Sequence, residues 1–448
     1  MGFRKDFIWG SATASFQIEG GADTRGECIW DVMCRQPGRV YQGHNGVTAC
    51  DHVHRFREDI AIMRELGIKN YRFSISWPRV IPDGTGEVSQ SGLHFYSELV
   101  DCLLENGIRP FVTLYHWDLP QAIQAKGGWA NPQIVSWFER YTEVVAKCFG
   151  TRVMDYFTLN EQQCFLGLGY FVGDHAPGAK YTPPETMLPM VHNSLLAHGA
   201  AVRKLRELVP GVRVGVAPCA DACVPESDKP EDIEAARQAY FACEPNNYFS
   251  VALYSDPMML GEYPVDLLSY AGHMLPKGFE RDLPLIHEKL DYYAQNIYNG
   301  RMFRCGADGK SEFVPRPAGW PRTAIGWSIM PEALYWGPKF LYERYKTPFI
   351  ISENGMSCHD AVSLDGMVHD PNRQDYMHRY LRQLRRAAED GVDVRGYFAW
   401  SLMDNFEWQQ GYSERFGLVY VDYQTQKRTI KDSARWYSGV IAQNGENL

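Results

Sequence analysis

Along this chain a helical stretch repeatedly closes at a glycine, and within a few residues an uninterrupted apolar run begins. Val53, Phe56, Ile60 and Met63 share one face at a 3.6-residue period; Gly67 follows, then the run 68–75. Phe95, Leu99 and Leu103 lead to Gly107 and the run 110–115, and Val144, Val145 and Phe149 to Gly150 and 153–159. Leu205 and Leu208 lead to Gly211 and 212–216. Tyr376, Tyr380, Leu381 and Leu384 lead to Gly391 and 394–400. Glycine closes a helix with a left-handed turn, and Asp370-Pro371 supplies a matching start signal. Runs at 7–17, 290–296 and 349–353 bring the predicted strands to eight.

The runs are apolar on both faces rather than alternating, as in parallel strands covered by helices. Eight such units without a dinucleotide-type glycine fingerprint predict a closed (β/α)8 barrel of TIM type with long βα loops, a doubly wound sheet being the alternative. No low-complexity linker interrupts residues 1–448, so one domain is expected.

Composition narrows the function. The 448 residues carry 45 Lys+Arg against 54 Asp+Glu, a net charge of −9 with no basic run, which argues against nucleic acid or an anionic membrane as partner. No stretch is long and apolar enough to span a bilayer, and residues 1–6 show no apolar leader, so a cytoplasmic location is expected. Aromatics make up 13%, with 12 Trp and 26 Tyr, which suits a pocket that stacks flat faces against rings. Eleven cysteines include no C-x-x-C pair, and Cys28, Cys34, Cys50 and Cys102 lack zinc-like spacing; reduced, mostly buried thiols are expected. His52 and His54, two apart, and His192 and His198, six apart, do not share a helical face, and H-E-x-x-H is absent. No metal and no cofactor are expected.

In a barrel the chemistry gathers at the C-terminal ends of the strands. Those ends carry Gln17, Arg72, His116-Trp117, Asn160-Glu161, Asn296 with Tyr298, Glu353-Asn354 and Trp400, followed by Asp404-Asn405-Phe406-Glu407-Trp408. Glu161 and Glu353 each follow an apolar strand, the fourth and the seventh, and so can face each other across the barrel mouth. A charge beside such runs carries a desolvation cost. Two carboxyls facing a polar ring suit glycoside hydrolysis, in which one protonates the leaving oxygen and the other attacks the anomeric carbon. Gln17, His116, Asn160 and Glu407 offer hydrogen bonds, and Trp400 and Trp408 offer platforms.

These residues fall in segments that together resemble glycoside hydrolase family 1, the β-glucosidase family, over the whole chain. The segments are F-I-W-G-S-A-T-A-S-F-Q-I-E-G at 7–20, Y-R-F-S-I-S-W-P-R at 71–79, L-Y-H-W-D-L-P at 114–120, I-S-E-N-G at 351–355 and W-S-L-M-D-N-F-E-W at 400–408, with Gly411-Tyr412 and Arg415-Phe416-Gly417-Leu418. The resemblance implies a retaining β-glucosidase acting on cellobiose, short β-gluco-oligosaccharides and aryl or alkyl β-glucosides. It implies Glu161 as general acid/base and Glu353 as nucleophile, their carboxyls about 5–5.5 Å apart. Arg72 and Tyr298 would keep Glu353 ionised, and Asn160 would bind the 2-hydroxyl. Gln17, His116, Glu407 and Trp408 would grip the remaining hydroxyls, with Trp400 beneath the sugar and Trp327 on the leaving-group side. Trp117, Asn296 and Phe416 complete the expected substrate-binding set.

Three positions depart from the family pattern. Gln162 stands where Pro usually follows the Glu, and Ala294 and Ile297 stand where Gly and Tyr are usual; Asn246, beside Asn247, is matched to a sugar-side Asn. Two other readings remain. A 6-phospho-β-glucosidase would need donors where Glu407 stands, and a non-catalytic sugar-binding protein would have no use for two facing glutamates. β-Galactosidase or β-fucosidase side activity and transglycosylation share the same residues, and either a monomer or a homo-oligomer is compatible with the sequence.

Overall fold

Eight parallel strands close into a barrel in the computed structural model, which describes residues 2–448 and leaves Met1 of the N-terminal stretch outside the described residues. They are β1 (Ile8–Ala12), β2 (Asn70–Ser74), β3 (Arg109–Tyr115), β4 (Asp155–Asn160), β5 (Arg213–Ala217), β6 (Tyr292–Asn296), β7 (Phe349–Asn354) and β8 (Val394–Trp400). Each pairs with its chain neighbours and β8 returns to β1, so no edge is left open. Helices α1 (His52–Glu65), α2 (Gln90–Glu105), α3 (Ile134–Phe149), α4 (Pro184–Leu208), α5 (Val251–Met259), α6 (Ala333–Tyr345), α7 (Pro371–Glu389) and α8 (Asp432–Ala442) follow the successive strands.

Two cores result. Inside the barrel, Phe111, Phe157, Ile350 and Phe398 interleave with the small Ala12, Ala217 and Ala294, large against small, which fills the lumen. A second, continuous core lies between the barrel and its helices. Five glycines read as helix closers, 67, 107, 150, 211 and 391, all have positive φ. At the N-terminal end of the barrel, Arg109 and Arg213 each grip the fully buried Asp155 through two nitrogens at 2.6–2.9 Å, a structural staple far from the mouth.

The structure corrects four expectations. The first strand stops at Ala12 rather than continuing to Gln17. Ser15–Ile18 coil into a helical turn because the Ser15 N–H donates to Ser74 Oγ (2.7 Å) and its hydroxyl to Asp118 (2.8 Å). A three-stranded sheet (222–225, 300–305, 311–314) flanks the β5 and β6 loops, where no pattern predicted strands. α7 does begin at Pro371, but Asp370 does not cap it; its carboxylate serves the Ser433 N–H and hydroxyl instead. All eleven cysteines are free, but only four are buried and seven are half-buried. No helix among the described residues is long and apolar enough to cross a membrane.

Candidate active site

β7 delivers its carboxyl through a break in register. Ile351 pairs with Gln295, yet Glu353 pairs with Asn296, so Ser352 is one residue too many for the ladder. Such a bulge re-aims the next side chain, here Glu353, toward the barrel axis. Gly355 then passes so close to β8 that a Cβ there would lie 1.8 Å from the Trp400 carbonyl oxygen, which only glycine permits. Arg72 Nη1 donates to Glu353 Oε1 at 2.5 Å and the Tyr298 hydroxyl to Oε2 at 2.7 Å. The other nitrogens of Arg72 are engaged by Asn160 Oδ1 (2.6 Å) and Thr113 Oγ1 (3.1 Å), which fixes the guanidinium plane. Burial pushes the Glu353 carboxyl up from its ordinary value, and Arg72, Tyr298 and Asn296 pull it back. Burial, then the charge of Glu353, raises the Tyr298 phenol far above its usual range, so it remains a donor.

β4 presents its carboxyl differently. Its pairing with β5 shifts register between Phe157 and Asn160, and Glu161 follows at φ +50, a left-handed conformation that costs a non-glycine residue about 1–3 kcal/mol. The Glu161 N–H is pinned to Ala217 O (2.8 Å), and residues 163–172 continue as a π-helix, a form frequent at functional sites. Among the described residues no Lys, Arg or His pairs with the Glu161 carboxyl. Asn296 Nδ2 donates to its Oε1 at 2.7 Å, and the Ser352 hydroxyl orients that amide by donating to Asn296 Oδ1 at 2.6 Å. Burial first, and the neighbouring Glu353 charge second, push Glu161 up to about 8. Gln162 has a φ of −54°, which proline would share, and its amide donates to Ser194 Oγ at 3.1 Å.

Both carboxyls open onto one cavity of about 690 Å³. Of the residues picked out from the sequence, His116, Trp117, Asn296, Tyr298, Trp327, Trp400, Glu407, Trp408 and Phe416 line it with them. Trp400 stacks on His116 (ring centroids 5.8 Å apart, 19°), and Trp408 packs on Trp117 (4.5 Å). Trp327, Phe416 and Tyr298 pack on one another as a further group of aromatic rings in the lining. Arg72, Asn160 and Gln17 stand behind the wall rather than in it. Asn160 Oδ1 takes Arg72 and Asn296, its amide meets His116 Nε2 at 3.2 Å, and its carbonyl accepts from Trp117 Nε1. Gln17, wholly buried on the turn after β1, donates to Asn405 Oδ1, Phe406 O and Glu407 Oε2, so it braces the loop that carries Glu407.

Sequence reasoning missed several features. Burial, then the charge of Glu353, raises Glu407 to about 8, so a third carboxyl in this cavity holds a proton near neutrality. His116 is held neutral by burial and by Arg72. Asn247, not its neighbour Asn246, reaches the cavity. Cys164 and Cys219 also line it; they lie 55 positions apart, so no local spacing marks them. The histidines considered as ligands have packing partners: His52 with Asp59, His54 with Asp51, His192 with Tyr263 and Asp282, and His198 with Thr158.

A family model described as "Glycosyl hydrolase family 1" matches residues 1–446. "Beta-glucosidase A" of Thermotoga maritima is 47% identical over 448 residues, covering 99% of this chain and 98% of that protein. A "Bifunctional beta-D-glucosidase/beta-D-fucosidase" of Bifidobacterium breve is 41% identical, covering 99% and 98%. The solved structure of the Thermotoga maritima β-glucosidase in complex with glucoimidazole superposes with a TM-score of 0.90 at 47% identity, covering 99% of each chain.

Proposed function

The chain belongs to glycosyl hydrolase family 1, and from that premise we propose that it is a retaining β-glucosidase in which Glu353 attacks the anomeric carbon while Glu161 protonates the leaving oxygen. The observation that carries the reading is the unequal treatment of two carboxyls in one cavity. Glu353 receives a guanidinium and a phenol, and Glu161 receives an amide and, among the described residues, only neutral donors.

In the first half-reaction the ionised Glu353 displaces the aglycone and Glu161 gives up its proton, a transfer worth about 10²–10⁴-fold. The covalent ester then removes the Glu353 charge that had raised Glu161. The Glu161 carboxylate becomes easier to keep ionised and takes a proton from the incoming water. His116, Glu407 and the indoles of Trp400 and Trp408 are proposed to hold the glucosyl ring, with Asn160, Gln17 and Arg72 bracing them from behind. Relatives named as β-glucosidases over nearly their whole length favour an unphosphorylated sugar as the substrate. The bifunctional relative supports fucoside hydrolysis as a side activity. The substrates are small β-glucosides, and one domain spans residues 1–448. We place the enzyme in the cytoplasm, a reading supported by eleven free thiols, the state a reducing compartment maintains.

Proton NMR of p-nitrophenyl β-D-glucoside during hydrolysis tests this. β-Glucose appearing before mutarotation supports it, and α-glucose appearing first would overturn the double displacement.

A further inference from the structure

Beside Glu161 the cavity wall holds a cluster that the hydrolytic reading leaves unused. Cys164, in the π-helical turn that follows Glu161, and Cys219, just beyond β5, place their sulfurs 3.6 Å apart. The two sulfurs and a Glu161 carboxylate oxygen all lie within 4.8 Å of one another. Both cysteines are half-buried and line the cavity, so the cluster is reachable from solvent.

We propose that Glu161, Cys164 and Cys219 form a binding site for a thiophilic divalent cation such as Zn²⁺ or Cd²⁺, and that occupancy shuts the enzyme down. Tetrahedral zinc with Zn–S bonds of about 2.3 Å sets two bound sulfurs about 3.8 Å apart. The 3.6 Å separation seen here meets that demand almost without movement. A disulfide, with sulfurs about 2.05 Å apart, would need them to close by about 1.5 Å. Two thiolates and one carboxylate select a soft or borderline cation over Mg²⁺ or Ca²⁺, and on binding each thiol and the protonated Glu161 release their protons to solvent.

Three protein ligands leave one coordination position, open toward the cavity, where water or a sugar hydroxyl could complete the set. The ionised Glu353 lines the same cavity and adds negative charge beside the site. The ligands are also oriented from behind: Asn296 Nδ2 holds Glu161 Oε1 at 2.7 Å, and the Cys219 N–H donates to Gln163 Oε1 at 3.4 Å. A Glu161 carboxylate committed to a metal cannot carry the proton the leaving group needs. That inhibitory consequence rests on the acid/base reading of Glu161; the binding site does not.

The test titrates the reduced full-length enzyme, kept in a non-thiol phosphine reductant, with Cd²⁺. It follows sulfur-to-cadmium charge-transfer absorption and p-nitrophenyl β-D-glucoside turnover in the same samples. The expected result is absorption saturating at one equivalent, turnover falling in step with it, and both reversed by EDTA. Cys164→Ala and Cys219→Ala, each compared with its own metal-free rate, should raise the half-saturating Cd²⁺ concentration about 100-fold. Absence of the thiolate band, or inhibition unchanged in both variants, would overturn the site whatever Glu161 does. A saturating band with turnover intact would overturn the inhibitory role and count against Glu161 as proton donor.

Discussion

Glu353 and Glu161 end two strands of the same barrel, both follow a slip in strand register, and both face one cavity. Their partners differ in kind. The β7 carboxyl is held at both oxygens by donors that favour its anion, Arg72 at 2.5 Å and Tyr298 at 2.7 Å. The β4 carboxyl has one neutral amide, and burial beside a like charge raises it to about 8. Pushing two nearby pKa values apart is how one fold obtains a nucleophile and an acid from the same side chain. In the proposed reading the two roles are set by the partners, Arg72 on β2, Asn296 on β6 and Tyr298 just past it, not by the glutamates.

That contrast can be broken from either side. Glu353→Gln removes the attacking oxygen, and kcat should fall on the order of 10⁶-fold in steady-state assays, the scale associated with losing a covalent nucleophile. Glu161→Ala should be milder and dependent on the leaving group. Cellobiose cleavage should fall about 10²–10⁴-fold, whereas formation of the glycosyl-enzyme from an aryl glucoside, whose phenolate leaves without a proton, should fall far less by burst kinetics. If both aglycones suffered equally, Glu161 would not be the donor.

The pH profile sharpens the same comparison. Glu161 must be protonated and Glu353 ionised, so kcat/KM should decline above about pH 8, where Glu161 loses its proton, and decline again in acid as Glu353 gains one. Tyr298→Phe removes a hydrogen bond that stabilises the Glu353 anion. Its pKa then rises, and the acid limb should move to higher pH by about 1 unit, the size of a charged hydrogen bond of about 1.5 kcal/mol, with the alkaline limb far less affected. The smallest effect belongs to Gln162→Pro. Its φ of −54° already suits proline and only the Ser194 contact is lost, so a thermal melt should shift by no more than about 4 °C.

The barrel was legible because its strands are continuous apolar runs, five of them preceded by a glycine that turns left-handed, and both signals are local. Glu161 and Glu353 were legible as acids at the ends of such runs. What escaped depends on partners distant in sequence. Phe16 and Ile18 extend the first apolar run, so the turn at Ser15–Ile18 is visible only through the Ser15 bond to Asp118. The bulge at Ser352 belongs to the pairing of β6 with β7, not to either strand alone. Loop closure behind β1 commits the Gln17 amide nitrogen to Asn405 and Phe406, while its amide oxygen has no partner among the described residues. The protonation of Glu407 follows from burial near Glu353, 54 positions earlier in the chain.

The central claim is that the β7 carboxyl, not the β4 one, bonds to the sugar. Incubation with a 2-deoxy-2-fluoro-β-D-glucoside bearing a good leaving group slows the second half-reaction and lets the ester accumulate, and peptide mass spectrometry locates it. The account predicts one fluoroglucosyl group on the peptide that contains Glu353. An adduct on the peptide containing Glu161, or turnover with no adduct and α-glucose as the first product from the parent substrate, would contradict it.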